Sequence, residues 1–140
     1  MIAETREGLR LLEAGIIKAD GDVFEERMVY VGRALGATVE RITPDAIAVE
    51  RPVYARNAQV ALKMGALFGV IYMACIERCA TVAGYEPSQI KRAVTGSGAA
   101  SKTQVVKMVR LILGVELSED AADAAAVAVC HVNRRRVRRE

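Results

Sequence analysis

Two carboxylates near the C-terminus, Asp120 and Asp123, stand three residues apart in Ser118-Glu119-Asp120-Ala121-Ala122-Asp123. The Ala-rich sequence that follows through 124–132 holds no Pro or Gly and predicts a helix. Residues three apart on a helix share a face. Carboxylates held that close repel, and stay ionised together only with a cation or a basic group between them. Short acids that offer oxygen alone suit Mg²⁺ or Mn²⁺. The competing reading is that Ser118 caps the helix and the acids complement its dipole. A third acid, Glu50, ends the apolar run Ala46-Ile47-Ala48-Val49, which Pro44-Asp45 precedes and Pro52 stops, so the run reads as a strand. Functional groups of α/β proteins gather at the C-terminal ends of strands. Glu50 meeting Asp120 and Asp123 would make a three-carboxylate metal site, able to polarise a phosphate and activate a water.

The basic groups are unevenly placed. The chain has 140 residues and a net charge of +3, from 20 Lys and Arg against 17 Asp and Glu. Residues 134–140 hold five arginines and one glutamate; without them 15 basic and 16 acidic residues remain, a net of −1. An arginine cluster ending a helix suits phosphate, or equally a solvated end that completes the helix dipole. Gly96-x-x-x-x-Ser101-Lys102-Thr103 departs from a phosphate-cradling P-loop at Ser101, where the second glycine belongs, and no buried strand precedes it. Lys102 at a helix start could instead hold a nucleic-acid phosphate, or the segment is a surface loop. Cys75, Cys79 and Cys130 are odd in number and lie in helical sequence, which predicts buried, reduced thiols in the cytoplasm. With His131 the only histidine, a zinc site lacks ligands.

The elements that must position these groups alternate in type. Residues 1–4 and 9–18 read as strands about a turn at 5–8. Asp22 with Glu25 resembles a capping box. The helix after it carries Phe24, Met28, Val31, Leu35, Val39 and Ile42 on one stripe, with Gly36 softening its second half. Asn57 caps a long apolar helix expected to reach about Ala83, with Gly84 as its C-cap. Gly65 and Gly69, with Ala58 and Ala61, form a small-residue side suited to close packing, and the apolar surface beyond it suits a homodimer. The chargeless run 64–76 is short for a bilayer, and the first residues lack the basic-then-apolar order of a signal peptide. A brief strand at Tyr85, one or two turns over 88–93 and a helix over 104–113 lead to the last helix. The composition, 52% hydrophobic and 26% charged, is that of a globular domain rather than a disordered chain. Together these predict an α/β arrangement with a mixed sheet flanked by helices.

Taken in order, several segments resemble the RuvC-type Holliday-junction resolvases. They are Ala48-Val49-Glu50, Tyr54-Ala55-Arg56-Asn57, Ala61-Leu62-Lys63-Met64-Gly65, Gln89-Ile90-Lys91, the 96–105 loop with Lys102, and Asp120-Ala-Ala-Asp123-Ala with Cys130-His131. The resemblance covers essentially the whole chain. It implies an RNase H-like fold over 1–133 with a basic tail at 134–140, and a cytoplasmic homodimer that nicks four-way junction DNA symmetrically, beside branch-migration helicase proteins and away from membranes. It implies Mg²⁺, or Mn²⁺, held by the catalytic residues Glu50, Asp120 and Asp123. It places Lys91 and Lys102 near the scissile phosphate and Arg56, Asn57 and Lys107 near the DNA backbone, with His131 an accessory residue. Family members open on a strand bearing Gly-Ile-Asp-Pro-Gly, whose aspartate is a fourth carboxylate. Here residues 1–4 match the second family strand, so the first central strand is expected to be missing, and a junction-binding protein with impaired catalysis is the alternative. Members often place an aromatic at the position of Val53; Tyr54 beside it offers the π-face that stacking on unpaired bases needs.

Overall fold

The structure, a computed structural model, describes residues 1–52, 57–79 and 81–137, the last of these by its backbone alone. Small and β-prone residues at the start make a hairpin. Strand β1 (Ile2–Thr5) pairs antiparallel with β2 (Gly8–Leu11), Ile2 facing Leu11 and Thr5 facing Gly8. Gly8 sits at φ +134°, where a side chain would be strained, and Thr5 Oγ1 donates to its carbonyl at 2.9 Å. The strand expected over 9–18 is shorter. The N–H groups of Leu12 and Glu13 both reach the Met1 carbonyl, and residues 12–21 then leave the ladder without regular structure.

The chain divides into two units: Met1–Ile16 with Tyr85–Glu140, and Ile17–Gly84. In the second unit, helix α1 (Phe24–Ile42) carries the expected stripe, with Val39 its most buried member. Its N-cap differs from the expected capping box. Val23 is the N-cap, and Glu26 rather than Glu25 reaches back, accepting from the Asp22 N–H at 3.0 Å. Gly36 does not soften the helix. A Cβ there would lie 2.8 Å from the Arg78 guanidinium carbon, so glycine makes room for Arg78, which Glu40 holds at 2.8 Å. Strand β3 (Ile47–Glu50) precedes α2 (Ala58–Ile76), which packs on α1. Asn57 caps α2 as expected, its side chain accepting from the N–H groups of Gln59 and Val60. Helix α2 ends at Ile76, well before Ala83. Cys79 turns aside to donate its thiol to the Pro44 carbonyl, and residues 82–84 enter β4 (Val82–Tyr85), which pairs with β3. Gly84 therefore lies in a strand, under the Arg51 side chain, rather than capping a helix.

In the first unit, α3 (Pro87–Thr95), α4 (Lys102–Leu113) and α5 (Glu119–Val137) pack on one another, and α4 and α5 also meet the hairpin. The core here consists of small and β-branched side chains: Ile90, Val94, Val105, Val109, Ala122 and Val129 are all buried. Valine and alanine suit this packing because they let three helices approach closely with little rotamer freedom to lose. The strand pairing among described residues falls in two ladders, β1–β2 and β3–β4.

Candidate active site

Helix α5 begins where the sequence says it should. Ser118 accepts from the Ala121 N–H through Oγ at 3.3 Å, so its first turn starts with Glu119 and Asp120. Ala122 is fully buried against the other helices. That fixes the rotation of α5 and leaves Glu119, Asp120 and Asp123 on its outer side. The second group comes from α4. Ser101 caps that helix, accepting from the Gln104 N–H while the Gln104 side chain takes the Ser101 N–H, a complete capping box. Lys102 is consequently the first helical residue, and its Nζ lies 3.3 Å from Glu119 Oε2 and 3.2 Å from Asp123 Oδ2. Asp123 first, then Glu119, hold the Lys102 ammonium above the usual lysine range.

The basic group that two neighbouring carboxylates require is thus Lys102 itself. The segment before it is neither a P-loop nor an open loop. Helix α3 leads into it, Gly96 closes that helix with φ +81°, and the Ser97 side chain and carbonyl bond the Ala99 and Ala100 N–H groups. Ala100 is buried, anchoring the turn that delivers Ser101 and Lys102. A phosphate loop would need a strand there.

Glu50 closes β3 with its side chain exposed, in the other unit. Among the described residues no three His, Cys, Asp or Glu side chains are placed to hold one metal ion. The donor chemistry of Glu50, Asp120 and Asp123, exposed or half-exposed carboxylates, fits a hard divalent cation. Their convergence is not present in this arrangement, and Asp123 already has a cationic partner.

Lys91 lies half-buried on α3. Lys107 is exposed on α4, where with Thr103, Arg110, Glu116 and Glu119 it lines an open hollow of about 560 Å³. Asn57 spends its side-chain oxygen on the α2 cap, which leaves its amide N–H₂ for an outside acceptor. Tyr54 and Arg56, with Val53, lie outside the described residues, as do Arg138 and Arg139 of the basic tail. The described part of that tail continues α5 without a break. Arg136 reaches Glu4 of β1 at 2.6 Å, and Arg134 lies 5.9 Å from the centre of the Tyr85 ring.

His131 points inward. It is 9% exposed, and its Nδ1 shares a 2.8 Å hydrogen bond with Tyr85 Oη, while Nε2 is buried without a partner. Burial, and to a lesser degree Arg135, lower its pKa, so the ring is neutral. The three cysteines are free and buried as expected, and burial raises the thiols of Cys75 and Cys130.

Sequence reasoning missed two participants. Tyr85 was read only as part of a strand. Glu119 was read only as a first-turn acid, although its position four residues before Asp123 puts both on one helix face.

Residues 1–131 match the family model described as crossover junction endodeoxyribonuclease RuvC. The protein of that name from Oleidesulfovibrio alaskensis is 38% identical over 99% of this chain and 85% of its own length. The one from Nitratidesulfovibrio vulgaris is 40% identical with the same coverage. Among solved structures, Thermus thermophilus RuvC superposes with a TM-score of 0.84 and 30% identity, covering 97% of this chain and 86% of the other. The same protein in complex with Holliday junction substrate gives 0.85 and 31% at the same coverage. The fold is accordingly RNase H-like, and its helices take the places they hold in those structures. A family match across 131 of 140 residues, with relatives near 40% identity along almost the entire chain, establishes that this chain belongs to the crossover junction endodeoxyribonuclease RuvC family.

Proposed function

We propose that the chain is a structure-specific endodeoxyribonuclease that resolves four-way DNA junctions by hydrolysing two phosphodiesters symmetrically, in recombination and repair. The observation that carries this reading is the likeness, over 97% of the chain, to a RuvC bound to Holliday junction substrate. Glu50, Asp120 and Asp123 would hold a divalent cation, Mg²⁺ or Mn²⁺. Bound there, such a cation polarises a phosphoryl oxygen and lowers the pKa of a water. Lys102, at the positive end of α4, and Lys91 take the charge of the scissile phosphate. Arg56, the Asn57 amide and Lys107 hold the flanking backbone, and Tyr54 stacks at the crossover. Their phosphate contacts make binding fall steeply with salt. His131 supports the site from below, through its bond to Tyr85.

The working unit is a homodimer in the cytoplasm, supplied with junctions by branch-migration helicase proteins. Its interface is the outer side of α2. Leu62 (74% exposed), Met73 and Ile76 stand out from that helix, and nothing lies within 4 Å of where a Cβ would stand at Gly65 or Gly69. By length and composition α2 could also cross a membrane, since the chargeless run expected to be too short sits inside a 19-residue helix. A second copy covers the apolar surface better, because two symmetric cuts need two active sites.

The test incubates the chain with a labelled synthetic four-way junction and Mg²⁺, beside a linear duplex and Glu50→Gln. Paired nicks on the junction alone, lost in Glu50→Gln, are the expected result. Binding without nicks would favour a junction-binding protein with impaired catalysis, the reading that the absence of a converged three-ligand group among the described residues supports. Neither binding nor nicking refutes both.

A further inference from the structure

We propose that Lys102 is an exchangeable counter-cation. It neutralises Asp123 before substrate arrives, and the scissile phosphate then draws it away, releasing Asp123 to the divalent cation. The inference rests on the reading above, in which Asp123 ligates metal and Lys102 meets phosphate. It starts from a conflict on the page. The same Asp123 oxygen face assigned to a metal is 3.2 Å from an ammonium. A divalent cation and an ammonium cannot both sit against one carboxylate oxygen without strong repulsion.

Glu119 resolves the conflict. It contacts the same ammonium at 3.3 Å, it is one helical turn before Asp123, and it is 72% exposed. Lys102 therefore has two anionic partners, only one of which is wanted for metal. When its bond to Asp123 is given up, Glu119 still tethers the side chain beside the site. Glu119 is thus a positioning residue that acts through Lys102. The backbone holds this device firmly at both ends, since the complete Ser101–Gln104 capping box fixes where Lys102 starts and the Ser118 cap fixes where Glu119 starts. The side chains themselves are free to move, with Lys102 53% and Asp123 43% exposed. DNA and metal should then bind cooperatively, because each removes the obstacle to the other.

The test titrates Mn²⁺ into the full chain, reading free Mn²⁺ by electron paramagnetic resonance, with and without four-way junction. It compares the parent, Lys102→Met, Lys102→Arg, Asp123→Asn and the Lys102→Met/Asp123→Asn pair. Without DNA, Lys102→Met should bind Mn²⁺ several-fold more tightly than the parent, while Lys102→Arg should not. The gain should vanish in the Asp123→Asn background. Adding junction should improve Mn²⁺ affinity more in the parent than in Lys102→Met, which has no cation left to hand over. Unchanged Mn²⁺ affinity in Lys102→Met overturns the proposal. So does a gain that survives Asp123→Asn, which would mark a general charge effect. If Asp123→Asn leaves Mn²⁺ affinity intact in every background, the ligand role of Asp123 fails, and the exchange fails with it.

Discussion

Replacing Tyr85 by phenylalanine should destabilise the first unit through His131 alone. The parent ring has one hydrogen bond, from Nδ1 to Tyr85 Oη at 2.8 Å, and a second nitrogen, Nε2, that is buried without a partner. Tyr85→Phe keeps the apolar ring, its burial and the Arg134 guanidinium over its face. What it removes is the hydroxyl, so that both imidazole nitrogens are then unsatisfied in the interior. Leaving one more buried polar atom unpaired costs about 1–3 kcal/mol. For a chain of this length about 2 kcal/mol corresponds to a fall in Tm of roughly 7 °C. The assay is thermal and urea unfolding of both chains by circular dichroism. The His131→Leu background closes the cycle, because Tyr85→Phe should cost less once the imidazole is gone. The pH dependence has a definite sign. Burial lowers the His131 pKa in the folded chain from the 6.5 of a free imidazole. Below about 6.5 the unfolded chain takes up a proton that the folded chain resists, so stability falls as the pH drops from there toward the folded value. His131→Leu should flatten that slope. A Tyr85→Phe chain within about 0.5 kcal/mol of the parent would refute the reasoning, since an unpaired buried nitrogen should cost more than that.

Three further outcomes follow from named contacts. Ser101→Ala removes the cap of α4 and half of its capping box, and should cost about 1 kcal/mol in urea unfolding while loosening the placement of Lys102. Val109→Ala opens a hole at a fully buried position among three helices and should cost about 2 kcal/mol, whereas Arg136→Ala, which removes an ion pair about half exposed, should stay within about 1 kcal/mol of the parent in the same melts. Leu62→Glu on the outer side of α2 should shift the chain from dimer to monomer in sedimentation, with helix content unchanged by circular dichroism.

The sequence made the caps and the acids legible, and it left long-range choices obscure. Asn57, Ser118 and Gly114 act as the local rules require, because a cap is settled by side chains within three or four residues. The α2 boundary was misjudged for the opposite reason. Nothing within 77–84 forbids helix, and what ends it is the Cys79 thiol reaching Pro44, 35 residues earlier, and the pairing of β4 with β3. Gly36 looked like a helix weakener because its purpose is to clear space for Arg78, far away in sequence. At the candidate site, acid spacing correctly demanded a cation between Glu119, Asp120 and Asp123, but spacing alone could not distinguish a metal from Lys102. The Tyr85–His131 bond joins residues 46 apart and left no local trace.

The hairpin and the last helix form one unit, and residues 17–84 lie between them in the chain. The Glu4–Arg136 ion pair alone spans 132 positions. During synthesis, which proceeds at about 5–20 residues per second, the hairpin must wait on the order of ten seconds for the helix that covers it. In that interval α1 and α2 can pair from neighbouring sequence, while β1 and β2 remain an isolated ladder, marginal in water. Residues 1–16 are then the part of the newborn chain most open to proteases and to wrong strand partners, until α5 arrives.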